Sequence, residues 1–119
     1  MEKINLEEKL SLFSDYWNPK IIGELNGQQV KLVKIKGEFV WHAHDNVDEL
    51  FYVIKGSFRM DFQDKSVMLF ENDIIIVPKG VEHRPVAEQE ASIMLFEPSD
   101  TLNTGNIVNQ LTRKTLENI

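Results

Sequence analysis

Short apolar runs separated by turn-forming residues fill most of the 119-residue chain. Between two such runs, the pair Asn26-Gly27 favours positive φ and predicts the turn of a β-hairpin. Short strands at this regular spacing are typical of an all-β sandwich or barrel. The predicted strands cover residues 21–25, 28–35, 38–44, 49–55, 58–62, 66–70, 74–77, 83–86 and 92–97.

Helical spacing occurs only near the two ends of the chain. Leu6, Leu10 and Phe13 recur at helical intervals behind a pair of polar residues that resembles a capping box. This pattern predicts a short N-terminal helix from Leu6 to Phe13. A weaker pattern predicts a second helix from Leu111 to Leu116.

Two of the predicted strands are apolar on both faces. Residues 50–54 and 74–77 show no polar alternation, which is typical of strands covered on both sides. One face can line the interior of a barrel. The other face needs a cover, either the N-terminal helix and hairpin or a second subunit, and on this basis we expect a homodimer.

Composition and charge restrict the function classes. The chain has no cysteine, so thiolate metal sites, disulfides and thiol nucleophiles are excluded. The net charge of −6 and the lack of a basic stretch argue against nucleic-acid and membrane partners. The charged N-terminus and the short apolar runs predict a cytoplasmic protein. Without repeats or linkers, we expect a single domain over residues 1–119.

The three histidines fall in an informative pattern. His42 and His44 lie two positions apart, so on a strand both imidazoles point to one face and can reach one ion. Glu49 follows a polar loop from which its carboxylate can fold back, and His83 comes just after a Pro-Lys-Gly turn. A lone histidine is more often structural, but this combination favours a site for Fe, Mn, Ni, Cu or Zn.

Two stretches resemble the two sequence motifs of the cupin superfamily. Residues 37–56 begin and end with glycine and contain His-x-His and Glu49, as the first motif does. Residues 72–83 contain Pro-x-Gly-x-x-His, as the second motif does. Asn72 stands where that motif has Gly, and because Asn tolerates positive φ we expect the turn to be retained. The resemblance covers about residues 30–97.

This resemblance implies a small single-domain cupin, an all-β double-stranded β-helix (jelly-roll) barrel, to which the sequence pattern adds the short N-terminal helix. It also implies that His42, His44, Glu49 and His83 hold one divalent transition metal in the mouth of the barrel. Iron and manganese are common in the family, and nickel, copper and zinc also occur.

Strand alternation predicts which side chains share the interior with the metal. With the histidines inward, Phe39, Trp41 and Ala43 are expected to face outward. An apolar, aromatic-rich interior fits a small organic substrate better than a sugar, although plain core packing is the alternative for most of its residues. The candidate pocket residues are Val40, Phe51, Val53, Met60 and Phe62.

Two function classes follow from the predicted site. The first is a metal-dependent enzyme, with an oxygenase of the dioxygenase type as the leading reaction class and an isomerase as a weaker choice. The second is a non-catalytic module that binds a metal or a small molecule. No residue outside the metal group has an evident catalytic role. In both function classes, the expected partner is a small molecule.

Overall fold

The computed structural model describes residues 1–119, and nearly all of its regular structure is β-strand, which confirms the predicted all-β class. No helix has the length and apolarity that a membrane crossing requires. In chain order the elements are α1 (Leu6–Leu10), β1 (Lys20–Leu25), β2 (Gln28–Glu38), β3 (Glu49–Lys55), β4 (Phe58–Phe62), β5 (Ser66–Leu69), β6 (Ile74–Val77), β7 (His83–Pro98) and β8 (Glu117–Asn118).

The 16-residue strand β7 organises the double-stranded β-helix. Its first residues pair with β4, its later residues pair with β3, and β2 pairs with it along most of its length, always antiparallel. The strand order is β5-β4-β7-β2-β1-β8, and β6 pairs with β3 outside this path. Sequence patterning predicted two strands here, but the polar residues 88–90 only shift the register and do not end the strand.

The barrel encloses one apolar cluster, to which each strand from β2 to β7 contributes. Its partly buried neighbours include Trp17, which precedes the first strand. The members of the cluster are Val33, Ile35, Phe51, Val53, Phe58, Met60, Leu69, Val77, Ala87, Ala91, Ile93 and Leu95.

The N-terminal helix is shorter than predicted. It starts at the predicted residue, behind Asn5, whose side chain accepts a hydrogen bond from the Glu8 N–H at 2.8 Å. It ends at Leu10 and not at Phe13, because the Lys34 ammonium group donates to the carbonyls of both residues, at 2.8 and 2.6 Å. A tertiary contact therefore ends the helix where local periodicity would continue it.

The predicted C-terminal helix is wrong. Side chains of Asn109 and Thr112 bond to nearby backbone N–H groups at 2.8 and 3.0 Å, an arrangement that competes with helical hydrogen bonds. The segment forms turns and then β8, which pairs in parallel with β1.

Two further predictions concern a turn and a surface. Asn72 has φ 72°, so the turn that most cupins build with glycine is retained as expected. The expected cover over the outer face of β6 is not supplied within the chain, because Ile74 and Ile76 are each 56% exposed.

Candidate metal centre

The segment that carries the first two histidines is a loop held against the turn before β7. The predicted strand 38–44 is wrong beyond its first residue: Glu38 ends β2, and after it only His42 pairs, in an isolated bridge with His83. Backbone hydrogen bonds of 3.1 and 2.9 Å join these two residues, and the Gly80 N–H donates to the His44 carbonyl at 2.8 Å. The two stretches that resemble the cupin motifs, residues 37–56 and 72–83, thus meet through their backbones.

Four side chains converge in the barrel mouth. One ligand atom from each of His42, His44, Glu49 and His83 lies within 4.8 Å of every other. All four residues are buried, with at most 6% of their surface exposed. The sequence spacing predicted this group, and the fold brings all four of its members together.

The imidazoles are oriented so that a nitrogen of each points to a common centre. His42 Nδ1 lies 2.9 Å from the Val40 carbonyl and His83 Nδ1 lies 2.8 Å from the Val81 carbonyl. Because a carbonyl only accepts, these contacts place the proton on Nδ1 and leave Nε2 as a lone-pair donor, the usual arrangement for a metal-bound imidazole.

The atoms at the centre lack protein partners. His44 Nε2, His83 Nε2 and Glu49 Oε1 are buried without a hydrogen bond. Glu49 Oε1 lies 3.2 Å from His44 Nε2 and 3.5 Å from His83 Nε2. Buried polar atoms are rarely left unpaired, so this donor set fits a transition metal with nitrogen and oxygen ligands.

Electrostatics keep two of these groups in the forms that bind metal. Burial, helped by His83, lowers the pKa of His42 to about 4, so its imidazole is neutral near neutral pH. Burial acts to raise the pKa of Glu49, but interactions with Glu97, His44 and His83 outweigh it and hold that pKa well below its usual range. The set therefore offers neutral nitrogen and anionic oxygen.

A small, partly open cavity of about 40 Å³ lies beside the candidate centre. His42 and Glu49 form part of its wall, whereas His44 lines a separate groove with the loop 45–47. The aromatic part of the wall consists of Trp17, Phe39 and Phe51, and the aliphatic part consists of Val33, Ile35, Ile93 and Leu95. The remaining lining residues are two prolines and Asn103, so the wall carries no lysine or arginine.

The predicted pocket residues are placed in different parts of the barrel. Phe51 lines the cavity, as expected from its position two residues after Glu49. Val53 and Met60 are fully buried in the apolar cluster, and Phe62 packs against that cluster without reaching the cavity wall.

The loop containing the histidines does not follow strand alternation. Val40 is half-buried and contributes its carbonyl to His42 in place of a side chain to the cavity. The expected outward direction of Phe39 is wrong, since this residue is buried and lines the cavity, whereas Ala43 is buried beside Asn106 of the C-terminal segment. Alternation holds only where a strand continues, and no strand continues here.

A buried ion pair beside the centre was missed by motif reasoning. Lys31 Nζ lies 2.8 Å from Glu97 Oε1, with side chains only 1% and 2% exposed. Burial, and then the charge of Glu49, raise the pKa of Glu97. The sequence contains a feature that could have predicted this pair. Lys31 shares its predicted strand face with Val33 and Ile35, and a charged residue on an apolar face needs a partner of opposite charge.

Fold and site together define a small β-barrel protein with a buried group of three histidines and one glutamate. Residues 30–97 match the cupin domain family, and the chain belongs to this family.

Three relatives illustrate the similarity. The chain is 46% identical to a cupin-2 domain containing protein from Shewanella frigidimarina NCIMB 400, with a TM-score of 0.79 over 80% of this chain and 93% of that one. It is 38% identical to protein NMB1881 from Neisseria meningitidis, with a TM-score of 0.76 over 82% of this chain and 100% of that one. It is 44% identical over 64 residues to the uncharacterized protein YdbB of Bacillus subtilis strain 168, a match covering 53% of this chain and 57% of YdbB.

Proposed function

We propose that this cupin binds one divalent transition metal, iron or manganese ahead of nickel, copper or zinc, and oxygenates a small organic substrate. The observation that supports the proposal is the convergence of His42, His44, Glu49 and His83 within 4.8 Å, with unpaired donor atoms at their centre. These four residues would hold the ion, where a redox-active metal would supply O₂ activation and a redox-silent one would supply Lewis acidity.

The chain itself provides position and environment. The carbonyls of Val40 and Val81 fix the tautomers of His42 and His83, so both rings present Nε2 without further rearrangement. The cavity wall beside His42 and Glu49 is largely apolar. The site therefore supplies a preoriented set of ligands next to an apolar binding space.

A second candidate is a non-catalytic module that binds a metal or small molecule. It is favoured by the cavity wall, where the metal candidates His42 and Glu49 are the sole titratable residues and Asn103 the one other polar residue. No separate acid or base is therefore placed to transfer a proton. A sugar-phosphate isomerase is disfavoured because the wall has no lysine or arginine to hold a phosphate.

Elemental analysis tests the metal proposal directly. Untagged protein purified without chelators should contain about one transition metal per chain, and the double variant His42→Ala/His44→Ala should contain almost none. Glu82→Ala is the matched control, because it removes a carboxylate next to His83 but outside the convergent group. Equal metal content in wild-type and double-variant protein, with circular dichroism showing both folded, would refute the assigned site.

Oxygen consumption separates the two candidates. Iron- or manganese-loaded protein is mixed with a panel of small phenols and diketones while dissolved O₂ is followed with an electrode. Substrate-dependent uptake that is lost in the double variant supports the oxygenase. Tight binding of an unreacted compound, with no uptake for either metal, supports the module.

We also propose a homodimer in which a second copy covers the outer face of β6. Ile74 and Ile76 are exposed on this edge strand, opposite Tyr52 and Leu50 of β3, so the apolar surface continues across two strands. Sedimentation equilibrium should show a dimer at micromolar concentration and a monomer for Ile74→Glu/Ile76→Glu. A clean wild-type monomer would contradict the proposal.

A further inference from the structure

Trp17 has an unusual backbone conformation next to the candidate metal centre. Its φ is 57°, in the left-handed region, where a large side chain is a clear outlier. Such strained positions persist only where the surroundings impose them, and they concentrate at ligand-binding sites. Trp17 lines the cavity and lies before residue 30, where the match to the family begins.

Both hydrogen-bond donors of Trp17 are fixed to strand β2. The backbone N–H donates to the Lys34 carbonyl at 2.9 Å, and the indole Nε1–H donates to the Lys36 carbonyl at 2.9 Å. The indole also stacks on Phe39, with centroids 4.7 Å apart and planes inclined by 21°. The two rings therefore form a rigid aromatic wall, already ordered before any ligand binds.

The rest of the cavity defines what this wall can recognise. Ile93 and Leu95 contribute aliphatic side chains, while the polar groups are confined to His42, Glu49 and Asn103. With no lysine or arginine on the wall, a phosphate or other strongly anionic group would have no charged side chain to hold it. The cavity therefore fits a flat apolar molecule whose polar atoms lie on the edge that faces His42 and Glu49.

We infer that Trp17 is a specificity-determining residue, and that the site takes a small, uncharged aromatic compound with oxygen donors on one edge. The ring stacks on the Trp17–Phe39 wall, and the oxygen edge points toward His42 and Glu49. This inference rests on the proposed function for the metal end of the ligand. The aromatic wall can be tested without any metal.

The test compares two chelators that share two oxygen donors but differ in shape. Zinc-loaded protein, in which a redox-silent ion prevents turnover, is titrated calorimetrically with catechol and with acetylacetone. Metal-free protein is titrated with fluorobenzene, a ring without metal donors, by ¹⁹F NMR. Metal content is measured by elemental analysis for every variant. This distinguishes weaker ligand binding caused by loss of the metal from weaker binding caused by loss of the aromatic ring.

Trp17→Gly is the main variant, because it removes the ring and also relieves the left-handed backbone. Trp17→Leu keeps apolar bulk without a flat ring and provides a second folded variant. Trp41→Phe is the control, since Trp41 is the only other tryptophan and packs under the Arg84 guanidinium, 5.0 Å from the ring centroid, away from the cavity wall.

We expect both Trp17 variants to bind catechol and fluorobenzene about tenfold more weakly, while acetylacetone binding changes by less than about twofold. Metal content should stay at the wild-type level. Equal weakening for catechol and acetylacetone, or unchanged fluorobenzene binding, would overturn the role of Trp17. If wild-type protein holds no metal but binds fluorobenzene, and the Trp17 variants bind it more weakly, the proposed metal-dependent function is refuted while the role of Trp17 is supported.

Discussion

The buried Lys31–Glu97 pair allows a quantitative test of how the barrel interior supports the candidate centre. The perturbation is Lys31→Met, which keeps the length of the side chain and removes its charge. Lys31 Nζ and Glu97 Oε1 are 2.8 Å apart, and both side chains are at most 2% exposed. Removing one partner of such a pair leaves an uncompensated buried charge, which lowers the free energy of unfolding by about 3–5 kcal/mol.

For Lys31→Met, the structure favours a loss of unfolding free energy at the lower end of the range of about 3–5 kcal/mol. Burial and the charge of Glu49 already raise the pKa of Glu97, so without Lys31 this carboxyl group takes up a proton and avoids carrying an isolated charge. We expect Lys31→Met to lower the free energy of unfolding by about 3 kcal/mol. The double variant Lys31→Met/Glu97→Leu removes both charges and should lie within about 1 kcal/mol of wild type.

Urea denaturation of metal-free protein, followed by circular dichroism, measures these differences. Glu97→Leu alone completes the double-mutant cycle, and Lys55→Met is a matched control because it removes the same charge from an exposed position on β3. The control should change stability by less than about 0.5 kcal/mol. If Lys31→Met resembles the control, or if the two single changes are additive, the pair does not contribute as the structure indicates.

Three further predictions concern the centre and the loop above it. The pKa of His42 falls from its ordinary 6.5 to about 4, so between those values the unfolded chain binds more protons. The metal-free wild type should therefore lose up to about 3 kcal/mol of stability between pH 7 and pH 4 in urea titrations, a slope that His42→Asn should reduce. Gly105→Ala should destabilise by about 1–3 kcal/mol in thermal denaturation, because φ is 57° and the new Cβ meets the Ala43 carbonyl; an unchanged melting curve would contradict this. Metal at about 100 times its dissociation constant should add about 2.7 kcal/mol to wild type and nothing to His42→Ala/His44→Ala.

The all-β fold could be predicted because its strands are specified locally. Turn residues such as Asn26-Gly27 punctuate the chain at the hairpin between β1 and β2, and residues 49–55 form β3 as predicted. The errors occur where distant contacts override local pattern. Lys34 ends α1 early by binding carbonyls that lie more than twenty positions before it in the sequence. No periodicity within the helix could have shown this.

The same distinction applies to the site. The four metal candidates belong to two short stretches, and the spacing within each stretch together with the resemblance to the cupin motifs grouped them. The cavity wall is different, since Trp17 and Asn103 come from opposite ends of the chain and meet only after the barrel forms. Phe39 was assigned the wrong direction because its segment forms a loop where apolar spacing indicated a strand.

The arrangement of the four metal candidates and the shape of the cavity wall therefore have separate physical origins in this barrel. His42 and His83 are each oriented by the carbonyl two residues earlier, at positions 40 and 81, so the candidate ligands depend on their own short segments. Part of the cavity wall comes instead from segments that neither motif contains, above all from Trp17. Substitutions in those outer segments should thus alter which small molecule is bound while metal content stays constant.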